Sequence, residues 1–365
     1  MDSLTLADDS TGIFPEGYTA PRTTEQLMQY HKDHLTYASI DSMIPMHNIE
    51  GRLRMIEEIR AGVLKDQRNK SKGFRFTYLE LAYFLLCPEP SLRKVISDRF
   101  HKSYLQAQIE YIGSFLLGML NESPIRDNAY RKENSREQNQ ECDERLTQLE
   151  RGKKNLPQKN AEKEKCLVRD NFRCVLTKNG SPKVYQILPF IASYGSWTSI
   201  QKSDAAYCFN TVLDPESWSE LNSFVLSGPD RCDKSWNMIS LGPDLRELWK
   251  GHFFGIQCLG ILPIDRQASA IWLQFHWMPR NQLDYTHRSE LNMDTIQRML
   301  QNIPPEESDA VERYRSCTGR PLETGYIFSI RMGKQEALSM KRVIDLRWVI
   351  SRIAAISGLA RSLYK

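Results

Sequence analysis

The sequence predicts an α+β protein, with a mainly helical N-terminal region followed by a mixed unit of short strands and helices. Three observations carry that expectation. Ile49, Leu53, Met55, Ile56, Ile59 and Val63 recur at helical spacing and define one apolar face. Beyond Cys166 the pattern changes to short alternating runs, of which IWLQFHW at Ile271–Trp277 is the clearest strand. Between these regions lies the segment 121–165, with eleven basic and ten acidic residues and almost no large apolar side chains. Such a segment cannot bury enough surface to build a core of its own.

Taken in order, residues 1–22 hold Pro15, Gly17 and Pro21 and read as a loose lead-in. Residues 23–120 form the helical region, periodic from Thr24 onward. The apolar run Tyr78–Leu86 ends at Cys-Pro-Glu-Pro (87–90), and Ser91 is the expected N-cap of a long helix reaching about Leu120. Tyr111–Leu120, the most apolar stretch, falls well short of the ~20 residues that span a bilayer and is expected to be a buried helix segment. Residues 121–165 read as a polar linker, either disordered or a solvated helix with paired charges. In the mixed unit, 166–365, CVLTKNGSPKVYQILPF (174–190) predicts two short strands around a turn at Asn179-Gly180. Tyr326–Arg331 predicts a further strand, and Val343 to about Leu359 an amphipathic helix with Gly358 as its stop.

The 365 residues are 41% hydrophobic and 26% charged, an ordinary globular mixture that excludes wholesale disorder and collagen-like repeats. A net charge of +4 is too small to advertise a nucleic-acid partner by itself. The amino terminus shows no basic segment followed by an apolar one, and no apolar stretch is long enough to span a bilayer, so the chain is expected to be intracellular, in the cytoplasm. The eight cysteines include no C-x2-C or C-x4-C pair, which argues against thiolate-bound zinc and for reduced, partly buried thiols. No Rossmann glycine pattern, P-loop or metal triad is visible, and no cofactor is expected.

Several blocks occurring in order carry a resemblance. CLVRDNFRCVLT (166–177), VYQILPF (184–190) and NMISLGPDLRELWKGHFFGI (237–256) resemble the HNH endonuclease domain in its fungal variant. LQFHWMPR (273–280), PLETGYIFSI (321–330) and LRWVISRIAAISGLA (346–360) are similar to the segments that follow it in fungal members, so the resemblance covers roughly 200 residues. It implies a ββα-metal unit: a strand histidine acting as general base, a helix histidine holding a divalent cation, and an asparagine orienting the loop between them.

This chain departs from that pattern where the chemistry sits. The base position is Gln186, whose amide takes no proton at neutral pH. The helix ligand position is Arg246, a cation with no lone pair for a metal. Lys250 stands at the acidic position, and there is no histidine between His101 and His252. His252, six residues after Arg246, lies about 240° round a helix and is expected to face elsewhere. Asn237 alone matches. The resemblance thus implies a degenerate, metal-independent member.

The vacated site is a candidate small-molecule pocket. Arg246, Gln186 and Tyr185 are the candidate catalytic hydrogen-bond donors; Asn237, Trp249, Trp236, Trp197 and Lys250 are candidate pocket residues, with core packing as the alternative for each tryptophan. The expected activity is isomerisation or cyclisation, including Diels–Alder-type cycloaddition, of an organic substrate in fungal secondary metabolism. The alternative is a nucleic-acid-binding pseudonuclease, or a nuclease with other metal ligands. For that reading Lys65, Arg68, Lys70, Lys72 and Arg75, interleaved with Phe74 and Phe76, offer phosphate contact and base stacking, or else a solvated basic loop. His276 is expected to be a satisfied core or edge histidine, and the i, i+3 pair His31 and His34 a solvated surface.

Overall fold

The structure, a computed structural model, describes residues 43–46, 48–66, 74–97, 156–188, 233–301, 319 and 321–362. The expected lead-in at 1–22, the helix from Thr24, the His31/His34 pair, Tyr111–Leu120, Trp197 and basic residues Arg68, Lys70 and Lys72 lie outside these residues. Within them the class is α+β, with helices beside two small antiparallel sheets. No described helix is long and apolar enough to cross a membrane.

Helix α1 (Ile49–Asp66) buries Ile49, Met55, Ile56, Ile59 and Val63, the face its periodicity predicts. Helix α2 (Tyr78–Leu86) is buried over its whole length. Its start is fixed by a capping box: Thr77 Oγ1 accepts from the Glu80 amide at 3.2 Å, and the Thr77 amide donates to Glu80 Oε2 at 2.7 Å. Cys87 ends it in an extended conformation, as the residue before Pro88 must. Helix α3 (Glu89–Ser97) starts two residues before the expected Ser91 cap. Pro90 sits in its first turn, where a missing amide costs nothing, so the proline that reads as a breaker lies inside the helix instead.

Helix α4 (Leu156–Arg169) crosses position 165, so the last residues of the polar segment are helical. Lys165 and Glu162 pair there at 2.7 Å. The two strands expected around Asn179-Gly180 are corrected. Residues 174–182 form turns with a single bridge, Arg173 to Gly180, and only β1 (Lys183–Gln186) is a strand. Its partner is β2 (Met238–Leu241), antiparallel, with Tyr185 opposite Ile239. The apolar run Cys174–Leu176 is buried in the turn, and the Val175 amide donates to Ser240 of β2 at 2.9 Å. Helix α5 (Pro243–Lys250) follows β2 directly, with proline at its first position.

Strands β3 (Phe254–Pro263), β4 (Ala268–Trp277) and β5 (Ile327–Gly333) form the second sheet, in sequence order. A bulge at Cys258–Gly260 shifts the β3–β4 register, with Gly260 at φ +152°. Helix α6 (Met293–Leu300) is capped by Asn292, which accepts from the Thr295 amide at 2.9 Å.

Helix α7 (Lys334–Ser357) begins nine residues before Val343, where its apolar pattern starts, and stops at Gly358, which adopts the left-handed φ +84°. A Cβ at Gly358 would lie 2.3 Å from the Leu283 carbonyl, so only glycine fits. The helix is not amphipathic beyond Val343. It packs on both β3 and α2, and Arg347 and Ser351 are buried with the apolar residues. Asn281 donates to the Ala355 and Ile356 carbonyls at 3.0 Å each, satisfying the end of α7. A short helix, α8 (Leu359–Ser362), follows.

The helical region and the mixed unit share one core. The Tyr78 amide donates to His287 at 3.1 Å, and the Ser289 amide to Phe76 at 2.9 Å, so the start of α2 pairs with the chain leaving β4. His276 lies in this core. Its Nε2 is 3.1 Å from Gln274 Oε1 and its ring centroid 5.0 Å from that of Trp348. Burial, then the positive charge of Arg352, pushes its pKa down to about 4.

That depression has a sign. The unfolded chain protonates this imidazole near pH 6.5, whereas the folded chain does so only near pH 4. Stability is therefore full above the first value and falls as pH drops through the window, by about 3 kcal/mol at the acid end. Urea melts across the window should show this loss, and His276→Gln should flatten the slope. A slope unchanged in the variant would contradict the assignment.

Candidate functional site

The site is built on β1, β2 and α5, and the segment before β1 fixes β2 in place. Arg169, at the end of α4, donates to the Ser235 carbonyl at 2.8 Å and the Met238 carbonyl at 2.9 Å. Asp170 pairs with Arg169 at 2.7 Å and accepts from the Ser240 amide at 3.1 Å. Glu162 accepts from the Ser235 amide at 2.9 Å. The Arg-Asp dipeptide thus serves as a brace between helix and strand. A bidentate ion pair of this kind positions backbone better than an isolated one. Cys166 is fully buried beside it, and burial pushes its thiol up to about 12, so no thiolate nucleophile arises at neutral pH.

Asn237 is 1% exposed and bonded through both ends of its amide. Its Nδ2 donates to the Leu188 carbonyl at 2.8 Å, and its Oδ1 accepts from the Leu188 amide at 3.0 Å. It stitches the end of β1 to the turn (Ser235–Asn237) that leads into β2. Asn237 is therefore a structural tie rather than a pocket donor.

The three candidate donors do not converge. Side chains alternate along a strand, so Tyr185 and Gln186 leave β1 on opposite faces. The Arg246 guanidinium lies over the Tyr185 ring, 4.7 Å from its centroid, and also pairs with Glu247 at 3.1 Å. Arg246 Nε is shielded from solvent and has no hydrogen-bond partner among the described residues. Gln186 Nε2 instead donates to Asp233 Oδ1. Lys250, one turn after Arg246, is half-buried at the end of α5.

The expectation of tryptophan walls is corrected for Trp249. It is 1% exposed and packs inward on Phe254, with ring centroids 5.2 Å apart. Position 249 lies on the buried face of α5 with Leu245, and Arg246, about 60° round the helix from it, stands at the edge of that face. Trp236 is half-buried against the core. Phe74 and Phe76 are core residues too, 8% and 2% exposed, so the base-stacking surface expected there is corrected. Arg75 pairs with Glu290 at 3.1 Å.

His252 follows α5 in a left-handed turn, at φ +57°, and is fully buried. Its Nδ1 lies 3.1 Å from Ser351 Oγ on α7. Burial, then the charge of Arg347, holds its pKa well below the usual histidine value, so the ring is neutral at pH 7. Arg347 Nη2 donates to the Trp249 carbonyl at 2.9 Å. Asp233, Arg347 and Ser351 were not legible as site partners. The one available signal is charge within an apolar run: Arg347 interrupts LRWVI in a helix that is buried nearly all round. Among the described residues, no group of three His, Cys, Asp or Glu side chains is placed to hold a metal ion.

Comparison with models of protein families, with curated proteins and with solved structures finds no match.

Asn237→Ala removes both bonds to Leu188 and leaves its buried amide and carbonyl short of a partner. The loss should be about 2–3 kcal/mol in urea denaturation. A cost under about 1 kcal/mol would show that the tie is not needed.

Proposed function

We propose that this protein is a metal-independent enzyme for an organic small molecule, an isomerase or cyclase on a degenerate HNH-like scaffold. The observation that carries the reading is Arg246, whose guanidinium rests on Tyr185 while its side chain stays 37% exposed. A donor held in this way suits a substrate carbonyl oxygen. Hydrogen bonding there draws electron density from a conjugated system and lowers the barrier to ring closure, with no proton removed and no covalent intermediate. Tyr185 orients the guanidinium, and Lys250 adds positive charge on the same side of α5. Gln186, tied to Asp233, holds the neighbouring strand end and is not a donor to the same group.

The strand–strand–helix order of β1, β2 and α5 supports the scaffold reading, as do the quoted blocks. Gln186 and Arg246 stand where the resemblance requires a base and a metal ligand, and neither side chain can serve. The nucleic-acid alternative loses the two aromatic residues that would have stacked on bases, since both are in the core.

The test compares metabolite extracts of the host with and without this gene. A compound that accumulates in the deletion strain should be converted by the purified protein, in chelator, to a product of unchanged mass. Arg246→Ala should slow that conversion about 100-fold, and Arg246→Lys should restore only part of it. Chelator-sensitive nicking of plasmid DNA by the same preparation, or full turnover by Arg246→Ala, would overturn the reading.

A further inference from the structure

We propose that Arg347 and His252 form an acid-sensitive latch that sets the position of α5, and with it Arg246. The latch concerns where Arg246 sits and stands apart from what the site acts on. Both halves tie the end of α5 to α7. Arg347 donates to the carbonyl of Trp249, in the last turn of α5, at 2.9 Å, and its guanidinium carbon lies 5.2 Å from the Trp249 ring centroid. A cation at a helix C-terminus satisfies an orphan carbonyl and complements the negative end of the dipole. One turn along α7, Ser351 holds His252, which stands two residues after Lys250 and closes the helix.

The turn is poised. His252 adopts φ +57°, a conformation that side-chain-bearing residues rarely take, and its amide donates to the Trp249 carbonyl at 3.2 Å. One carbonyl thus accepts from both halves of the latch. The imidazole is fully buried, with Nε2 lacking a hydrogen-bond partner among the described residues. The charged group from α7 that acts on it is Arg347, a cation. Its own segment brings Lys250, a second cation, and Glu247, whose carboxylate pairs with Arg246. A proton on His252 therefore places two positive charges together in a dry interface. The cheapest relief is for the turn at 251–252 to swing away from α7, which uncaps α5 and lifts Arg246 from Tyr185.

Arg347 and His252 are positioning residues in this scheme, and the readout is Arg246 itself. In protein labelled with 15N-arginine, the Arg246 Nε–H resonance, assigned with Arg246→Lys, should carry a ring-current shift from Tyr185. On acidification that shift should be lost together with protonation of His252, at a midpoint below the ordinary histidine value and with far-UV circular dichroism unchanged. His276→Gln should leave the transition in place, and His252→Asn, which tolerates the left-handed turn, should abolish it. Should His252→Asn fail to fold, Ser351→Ala, which frees Nδ1 without changing charge, should move the midpoint. A transition that persists in His252→Asn, an unmoved midpoint in Ser351→Ala, or an Arg246 resonance that changes only with global unfolding would overturn the latch.

Discussion

A guanidinium buried in the middle of a helix is expensive, and Arg347 is 2% exposed on α7. Removing a charge from water costs several kcal/mol unless the protein supplies replacement partners. Here they include the Trp249 carbonyl and the face of the Trp249 ring. The requirement runs both ways. Arg347 needs the end of α5, and α5, only eight residues long, is too short to hold its direction without an external anchor. The site therefore depends on the contact between a terminal helix and the last turn of a helix about a hundred residues earlier in the chain.

A second brace fixes the other side. Arg169 and Asp170 hold the backbone at Ser235, Met238 and Ser240, and Asn237 holds Leu188. Strand β2 is thus anchored on α4, and α5 on α7. Tyr185 belongs to the first anchor and Arg246 to the second. Their 4.7 Å approach is the point where the two meet. A weakening of either anchor moves one partner against the other, which makes their cation–π contact a sensitive report of the whole arrangement.

Local signals in the sequence account for a good part of this architecture. Helices α1 and α2 follow their apolar spacing, α2 to the residue, because the Thr77–Glu80 box and Pro88 are short-range devices. Strands β4 and β5 follow their alternation, and Gly358 ends α7 where expected. The failures share a cause in long-range partners. Residues 174–182 have strand composition, but their apolar side chains are buried in a turn because β1 finds its partner some fifty residues later, in β2. Trp249 reads equally as wall or core until the direction of α5 is known. Asp233 and Arg347 lie outside any pattern that points to Gln186 or Trp249, so sequence proximity could not pair them. Of the candidate site, Tyr185 and Arg246 come together, while Gln186 points away and Asn237 is a tie.

Through Arg347, α7 holds α5 in place. Hydrogen exchange on the intact chain, comparing the natural protein with Arg347→Met, measures it most directly. The substitution keeps the side chain's length and apolar stem and removes the cation. Amides 246–253 should lose protection while those of β2, anchored on α4, keep theirs. Equal protection of 246–253 in the two proteins would contradict it.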